Sequence, residues 1–334
     1  MAKPPLFAVL AALFLLPALG QPSAAAGFQQ SQATDSAGRP LDLAIWYPSA
    51  APPQAVQVGP FALEVARDGG VAGSGLPLIV LSHGAGGSSL NAFDTATALA
   101  DAGFVVVAPL HAGDNYRDQS DTFTQANFLN RPGQVSRTID HMLTAWQQHG
   151  AIDPSRIGIL GHSAGGTTAL LLAGGRADWR RVAAFCTDHP QDWGCANARA
   201  QQSVQGTAAP AAAPVIAGAD PRLKAVVLAA PALSVAFAPD GLAAVTVPVQ
   251  LWVAAADRIV GDAAAIRRML PGDVDMRRVP DAGHFAFLAP CSDALARIAP
   301  PLCTDAPGFD RRAFLAGFQQ TVIAFFRKHL GPAG

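Results

Sequence analysis

Short runs of apolar residues alternate along the chain with longer segments in which apolar positions recur at helical spacing. The runs at 78–81, 104–109 and 225–231 are apolar almost throughout, which is typical of parallel strands buried on both faces. Between such runs, segments including 90–102 and 135–149 place apolar residues three or four positions apart, which predicts helices. This alternation predicts one α/β domain built on a doubly wound, mostly parallel sheet.

Two segments interrupt this alternation. Residues 51–75 follow two predicted opening strands at 28–34 and 41–47; they are rich in glycine, proline and alanine and predict a loop or a small excursion. Residues 174–221 contain two tryptophans, two cysteines and an Ala/Pro-rich stretch. Long structureless loops are uncommon in compact domains unless they are functional or disordered. We therefore expect this insertion to form a lid, and a plain surface excursion is the alternative.

The amino-terminal residues have the composition of a signal peptide. Lys3 supplies positive charge, residues 6–16 are apolar, and small residues at 18–20 and 24–26 offer cleavage sites. The apolar run is too short for a transmembrane helix. We expect residues 1–26 to be removed and the mature protein to be secreted or periplasmic, without an integral membrane segment.

Composition narrows the classes of function. Charged residues make up 14% of the chain, the formal net charge is −1, and like charges form no run. Neither nucleic acid nor an anionic membrane surface is therefore expected as a partner. The hydrophobic content of 50% suits a large buried sheet. A small molecule is the expected partner, and the oligomeric state is left open.

The strongest local motif is Gly-His-Ser-Ala-Gly at 161–165. It follows an apolar run at 156–160 and precedes a helix-forming segment at 167–173, which is the strand-turn-helix context of a nucleophile elbow. Glycines on both sides permit a tight turn that holds a serine hydroxyl out at the end of the strand. The pattern predicts Ser163 as a catalytic nucleophile.

A serine nucleophile needs a histidine base and an acid that orients the base. Asp257 follows the apolar run 247–256 and is the expected acid; Asp262 is the nearest competitor but precedes a helix start. His284, in a Gly-His loop after a short strand at 276–279, is the expected base. His329 also lies downstream of Asp257, but in the last turn of the carboxyl-terminal helix, where a cation suits the helix dipole.

A glycine-rich loop supplies candidate oxyanion donors. Ser-His-Gly-Ala-Gly-Gly at 82–87 follows the strand at 78–81, and we assign the oxyanion hole to the backbone N–H groups of Ala85 and Ala164. Phosphate binding is the alternative, although the Gly-Lys-Ser/Thr ending of a P-loop is absent. His83 is expected to be structural. His111, after the strand at 104–109, is expected to line a substrate pocket or to make a loop contact.

The four cysteines predict two local disulfides. In an exported chain the pairs Cys186–Cys195 and Cys291–Cys303 are the expected bridges, although the sequence alone allows three connectivities. The spacings contain no Cys-x-x-Cys pair, so a metal site is not expected. No cofactor is required by the predicted chemistry.

Taken together, these motifs resemble the α/β-hydrolases described as predicted dienelactone hydrolases and their relatives, the platelet-activating-factor acetylhydrolases. Two features depart from those patterns. Ser163 stands where dienelactone hydrolases carry cysteine, and Asp257 follows a later strand than the acid of the acetylhydrolases. The residues that carry the resemblance lie at 43–48, 81–84, 161–166, 220–222, 231–232, 283–285 and 290–311.

The predicted function is an exported serine hydrolase that cleaves carboxylic esters or lactones through an acyl-enzyme. Lipase, amidase or peptidase activity on the same residues is an alternative. From a different class, the chain could be a non-catalytic hydrolase fold that binds a ligand. The ordered Ser163, Asp257 and His284 argue against that last possibility.

Overall fold

The computed structural model describes residues 25–205, 214–216 and 218–331. Its strands are β1 (Ala25–Thr34), β2 (Pro40–Ser49), β3 (Gln54–Val58), β4 (Phe61–Arg67), β5 (Leu76–Ser82), β6 (Val105–Pro109), β7 (Ile152–His162), β8 (Arg176–Asp178), β9 (Pro214–Ile216), β10 (Leu223–Ala229), β11 (Val249–Ala254) and β12 (Asp275–Val279). Its α-helices are α1 (Phe93–Asp101), α2 (Gln125–Thr144), α3 (Ala164–Leu172), α4 (Trp179–Asp188), α5 (Trp193–Gln205), α6 (Ala265–Met269), α7 (Asp293–Ile298), α8 (Pro300–Cys303) and α9 (Arg311–Leu330).

A ten-stranded sheet organises the fold, in the order β12-β11-β10-β7-β5-β6-β2-β1-β4-β3. The six strands from β12 to β6 are parallel, and β2 joins β6 in the antiparallel sense. Most of the connections between the parallel strands contain α-helices, as is usual for crossovers between parallel neighbours. The predicted doubly wound, mostly parallel α/β fold is confirmed.

Hydrophobic cores lie on both faces of the sheet. Successive side chains of a strand point to opposite faces, and β5 divides its residues in this way. Leu78 and Val80 belong to the core that includes residues of α2 and α3. Ile79 and Leu81 belong to the core that includes residues of α1 and α9. Burial on both sides explains why the strand is apolar at consecutive positions.

The segment at 51–75, predicted to be a loop or a small excursion, contains a β-hairpin and is therefore not a plain loop. β3 and β4 pair in the antiparallel sense, and β4 adds to the edge of the main sheet beside β1 through Gly27↔Ala66 and Phe28↔Arg67. Val56, Leu63 and Val65 become buried. Their packing against the sheet outweighs the weak local strand pattern.

Helix α2 starts ten residues before the predicted position 135, at Gln125. The Thr124 side chain accepts a hydrogen bond from the Asn127 N–H and so caps the helix. Pro132 lies inside the helix, where it removes one backbone hydrogen bond. The neighbouring Arg131 is buried in contacts with the sheet edge, so tertiary contacts stabilise a helical turn that the local sequence disfavours.

The insertion at 174–221 is folded over its described part. It contains β8, α4, α5 and β9, whereas much of its Ala/Pro-rich stretch lies outside the described residues. The disulfide Cys186–Cys195 joins α4 to α5. The second disulfide, Cys291–Cys303, closes the segment that contains α7. Both predicted pairs are confirmed.

The predicted signal segment lies outside the described residues except for Ala25 and Ala26. These two residues belong to β1, where Ala25 pairs with Ser49 and Ala26 is buried. In the described ranges, no helix has the length and apolar character needed to cross a bilayer. The same residues contain no group of three or more His, Cys, Asp or Glu side chains arranged to hold a metal ion.

Removing the Cys291–Cys303 bridge should destabilise the fold. For a closed loop of this size, the chain-entropy model gives a loss of about 3 kcal/mol in the free energy of unfolding. The double variant Cys291→Ser/Cys303→Ser should show this loss in urea unfolding followed by fluorescence. Mass spectrometry of unreduced tryptic peptides of the parent protein is the control. An unchanged unfolding midpoint, with the bridge present in the parent, would contradict the prediction.

Candidate active site

The loops after the parallel strands converge at one edge of the sheet. Neighbouring strands end nearly in register, because Ser82 pairs with Gly161 across β5 and β7 and Ala254 pairs with Val279 across β11 and β12. Residues that follow these positions are therefore brought to a common edge, where open α/β sheets bind ligands. All five of the residues predicted for catalysis and the oxyanion hole follow one of these four strands.

Ser163 occupies a strained turn between β7 and α3. Its φ of 54° and ψ of −119° are sparsely populated by residues other than glycine. The turn is held by hydrogen bonds from the Ser163 N–H to the Ala229 carbonyl at 3.0 Å and from the Ala232 N–H to the Ser163 carbonyl at 3.0 Å. These contacts keep the strained serine at the end of the strand, as the nucleophile-elbow pattern predicts.

Small residues around Ser163 are required by close backbone packing. A Cβ atom on Gly161 would lie 2.1 Å from the Gly165 carbonyl oxygen, and one on Gly165 would lie 1.9 Å from the Ser82 carbonyl oxygen. The turn therefore packs directly on the end of β5. Any side chain at position 161 or 165 would push the elbow away from the glycine-rich loop.

His284 and Asp257 form a buried hydrogen-bonded pair. The His284 Nδ1–H donates to Asp257 Oδ2 at 2.7 Å, which leaves Nε2 without a proton in the neutral ring. Asp257 Oδ1 accepts from the N–H groups of Ile259 and Val260 at 2.8 and 3.1 Å. Burial alone would raise the pKa of Asp257, but the His284 contact and the two backbone donors lower it below its usual value. Asp257 is thus held as a carboxylate that orients the histidine.

Ser163 and His284 line the same cavity. The ring of His162, the residue before Ser163, lies 4.9 Å from the His284 ring between centroids. The His162 Nε2–H also donates to the His284 carbonyl at 3.0 Å. Burial and the nearby His284 lower the pKa of His162 to about 3, so it stays neutral. His162 therefore connects the loop that contains His284 to the turn that contains Ser163.

Asp262 and His329, the sequence alternatives for the acid and the base, make other contacts. Asp262 has an exposed side chain, which accepts from the Ala265 N–H at 3.2 Å and pairs with Arg268 at 2.7 Å. It therefore caps the turn before α6. His329 lies in the last turn of α9. The structure thus brings Asp257, and not Asp262, to His284.

The glycine-rich loop lies directly beside Ser163. A Cβ atom built on Gly84 would be 3.1 Å from the Ser163 Cβ, and both Ala85 and Ala164 line the cavity with Ser163. Among the described residues, the N–H groups of Ala85 and Ala164 have no hydrogen-bond acceptor. Two free backbone donors near a nucleophile match the requirement of an oxyanion hole.

His111 is placed differently from the expectation that it lines a substrate pocket. Its side chain is fully buried and is not among the cavity-lining residues. Its Nδ1–H donates to Gln134 Oε1 at 2.8 Å, and its Nε2 accepts from the Ser82 hydroxyl at 3.0 Å. Both ring nitrogens are therefore engaged by the protein. His111 therefore makes a structural contact, which is the second of the two roles expected from the sequence.

His83 is also buried beneath the glycine-rich loop, in keeping with its expected structural role. Its Nδ1–H donates to the Gly84 carbonyl at 2.7 Å and its Nε2 accepts from the His111 N–H at 3.1 Å. Burial and the charge of Arg131 lower the pKa of His83 to about 4. It is therefore neutral at neutral pH and fixes the loop backbone.

A buried ion pair below the same loop was not predicted from the sequence. Arg131 Nη1 donates to Asp114 Oδ2 at 2.6 Å, and neither side chain is more than 1% exposed. Arg131 Nη2 donates to the His83 carbonyl, while Asp114 Oδ1 accepts from the Gly86 N–H at 2.7 Å. The pair thus holds both sides of the segment that contains Ala85. Asp114 follows β6 at the active-site edge, which was the available sequence signal, but Arg131 comes from a helical turn that the periodicity did not reveal.

Removing one partner of this ion pair should destabilise the protein. Arg131→Met leaves a buried carboxylate unpaired, which typically costs about 3–5 kcal/mol. The double variant Asp114→Asn/Arg131→Met should lose less than the sum of the two single variants, because no charge is left unpaired. Urea unfolding measures the loss of stability in each single variant and in the double variant. Arg268→Met, which breaks an exposed pair, is the control and should change stability by less than about 1 kcal/mol. Additive losses would contradict the coupling.

Part of the chain is similar to a known protein family. Residues 69–234 match the Dienelactone hydrolase family. The solved structure of a ferulic acid esterase from Streptomyces cinnamoneus resembles this chain with a TM-score of 0.60 and 20% sequence identity, over 95% of this chain and 92% of that one. At that identity the likeness concerns the fold. No curated protein sequence matches the chain.

The matched region includes the glycine-rich loop and the Ser163 turn, and the structural likeness extends the same fold over nearly the whole chain. The fold of the chain is that of an α/β-hydrolase, and residues 69–234 are similar to the dienelactone hydrolase family.

Proposed function

We propose that the protein hydrolyses carboxylic esters, lactones included, through an acyl-enzyme formed on Ser163. The observation that carries the proposal is the hydrogen-bonded pair Asp257–His284 opening onto the cavity in which the strained Ser163 lies. Nucleophile, base and orienting acid follow the chain order of α/β-hydrolases. The family match supports ester hydrolysis.

In the proposed first half-reaction, Ser163 Oγ attacks the ester carbonyl. His284 Nε2 takes the hydroxyl proton, and the Asp257 carboxylate stabilises the imidazolium that forms. The N–H groups of Ala85 and Ala164 stabilise the oxyanion, each typically contributing about 3–4 kcal/mol to transition-state stabilisation. His284 then gives its proton to the leaving alcohol as the carbon–oxygen bond breaks.

In the second half-reaction, water attacks the acyl-enzyme. His284 again acts as the base, the carboxylic acid leaves, and the proton returns to Ser163. Every proton transfer in this cycle uses the one histidine that Asp257 orients. A non-catalytic ligand-binding role is less well supported, because simple binding does not require a strained serine beside a carboxylate-oriented histidine.

We also propose export, with removal of an amino-terminal signal peptide. The two disulfides suit an oxidising compartment. Ala26 is buried in β1 and Ala25 pairs with Ser49. Cleavage near 18–20 keeps this strand whole, whereas cleavage after 26 removes its first pairs, so the earlier of the two predicted sites is the better supported.

Replacing the nucleophile should abolish activity without unfolding the protein. Ser163→Ala should lower kcat for p-nitrophenyl butyrate by roughly 10⁴-fold or more, the usual effect of losing a triad member. Labelling by a fluorophosphonate probe should also disappear. Ser155→Ala, at an exposed serine early in β7, is the matched control. If folded Ser163→Ala keeps most of its esterase activity, the proposed function is wrong.

The two aspartates after β11 should differ sharply in their effect. Asp257→Asn should lower kcat by roughly 10⁴-fold, because the amide favours the wrong histidine tautomer. Asp262→Asn changes a solvent-exposed side chain and should alter kcat less than about twofold, as expected for surface substitutions. Steady-state kinetics on one ester, with circular dichroism to verify folding, measures both. The reverse ranking would assign the acid to Asp262.

A further inference from the structure

The cavity beside Ser163 is large and is walled partly by the insertion. Its volume is about 1230 Å³, above the range of about 300–1,000 Å³ typical of small-molecule pockets. Helices α4 and α5 contribute Trp179, Phe185 and Trp193 to the lining. The Cys186–Cys195 disulfide that joins these helices also lines the cavity. The described helices of the insertion, joined to each other by this disulfide, therefore form part of the wall of the site.

Two aromatic pairs connect this wall to the body of the domain. The Trp179 ring lies 4.8 Å from the ring of Phe128 in α2, and the Trp193 ring lies 5.5 Å from that of Phe123, which precedes α2. All four rings line the cavity. Each pair takes one ring from the insertion and one from the domain. The site thus offers an extended apolar surface next to the nucleophile.

The charges in the described lining do not favour an anionic substrate. Arg199 is the one cation there, and it donates to the Pro190 carbonyl. Two carboxylates accompany it. Asp121 is paired with Arg39 at 2.9 Å, and Asp192 accepts from backbone N–H groups at the start of α5. With two carboxylates and one cation, these side chains carry an excess of negative charge, so a substrate carboxylate entering the cavity would lose its hydration without a net favourable charge interaction.

We propose that the site takes neutral esters with a long or aromatic acyl group, and that Trp179 and Trp193 set this preference. The inference rests on the proposed ester hydrolysis and adds the substrate class. Burying methylenes against apolar walls lowers the transition-state free energy together with that of the bound substrate, so selectivity appears in kcat/KM. The ring faces of the two tryptophans suit planar as well as flexible apolar groups.

The first test uses the unaltered protein and p-nitrophenyl esters. From acetate to octanoate, kcat/KM should rise about fourfold per methylene, as expected from the transfer free energy of a buried CH₂. Mono-p-nitrophenyl adipate has the same acyl length as p-nitrophenyl hexanoate but ends in a carboxylate. It should react at least about 30-fold more slowly, because that carboxylate would be desolvated among side chains with an excess of negative charge. A preference for acetate, or equal rates for hexanoate and adipate, overturns the inference.

The second test assigns the preference to the insertion. Trp179→Ala and Trp193→Ala should lower kcat/KM for octanoate at least about tenfold while changing that for acetate less than about twofold, because only the long chain reaches the lost ring. Tyr116→Ala removes an exposed aromatic ring that is not among the cavity-lining residues and should leave the ratio unchanged. Equal losses for both esters, or no loss for either, overturn the role of the tryptophans.

The two proposals fail in different ways. Ester hydrolysis with a preference for short or anionic acyl groups overturns the substrate class alone. If no ester in the series is hydrolysed and the fluorophosphonate probe does not label Ser163, the proposed function fails, and the substrate class fails with it. Labelling of each tryptophan variant at the parent rate shows that its Ser163 turn is intact.

Discussion

The direct packing of the Ser163 turn on the end of β5 is the constraint on which the site depends. Gly165 leaves no space for a Cβ atom beside the Ser82 carbonyl, so the turn and the glycine-rich loop meet backbone to backbone. This contact places Ser163, Ala85 and Ala164 together in the lining of one cavity. Electrostatic stabilisation of an oxyanion needs such fixed donors, because donors that must move into place lose part of their effect.

Polar groups buried under that loop keep it in place. Asp114 and Arg131 bond to opposite sides of the segment, at Gly86 and His83. Both His83 and His111 are neutral there, because burial lowers their pKa values. Most polar atoms of this buried network are hydrogen-bonded, with Arg131 Nε an exception among the described residues, which makes the network rigid and costly to break in part. The buried network therefore holds in place the loop that brings Ala85 to the cavity lining.

The insertion determines part of the shape of the cavity beside Ser163. Helices α4 and α5, joined by Cys186–Cys195, add apolar rings to a cavity whose floor is made by the sheet edge. Ser163, Asp257 and His284 belong to the body of the domain, whereas the insertion supplies a large part of the apolar lining of the cavity. Function on such folds depends on sites built from loops and insertions, and here the insertion is where substrate preference can change without disturbing Ser163.

Local sequence indicated the buried strands and the chain order of Ser163, Asp257 and His284, because buried parallel strands and a glycine-flanked turn leave strong short-range patterns. It also indicated both disulfides through close spacing. Tertiary structure alone decided the partner of Asp114, the buried position of His111 and the hairpin at 54–67. Each of these depends on contacts between residues distant in the chain, where burial and charge pairing outweigh local propensity.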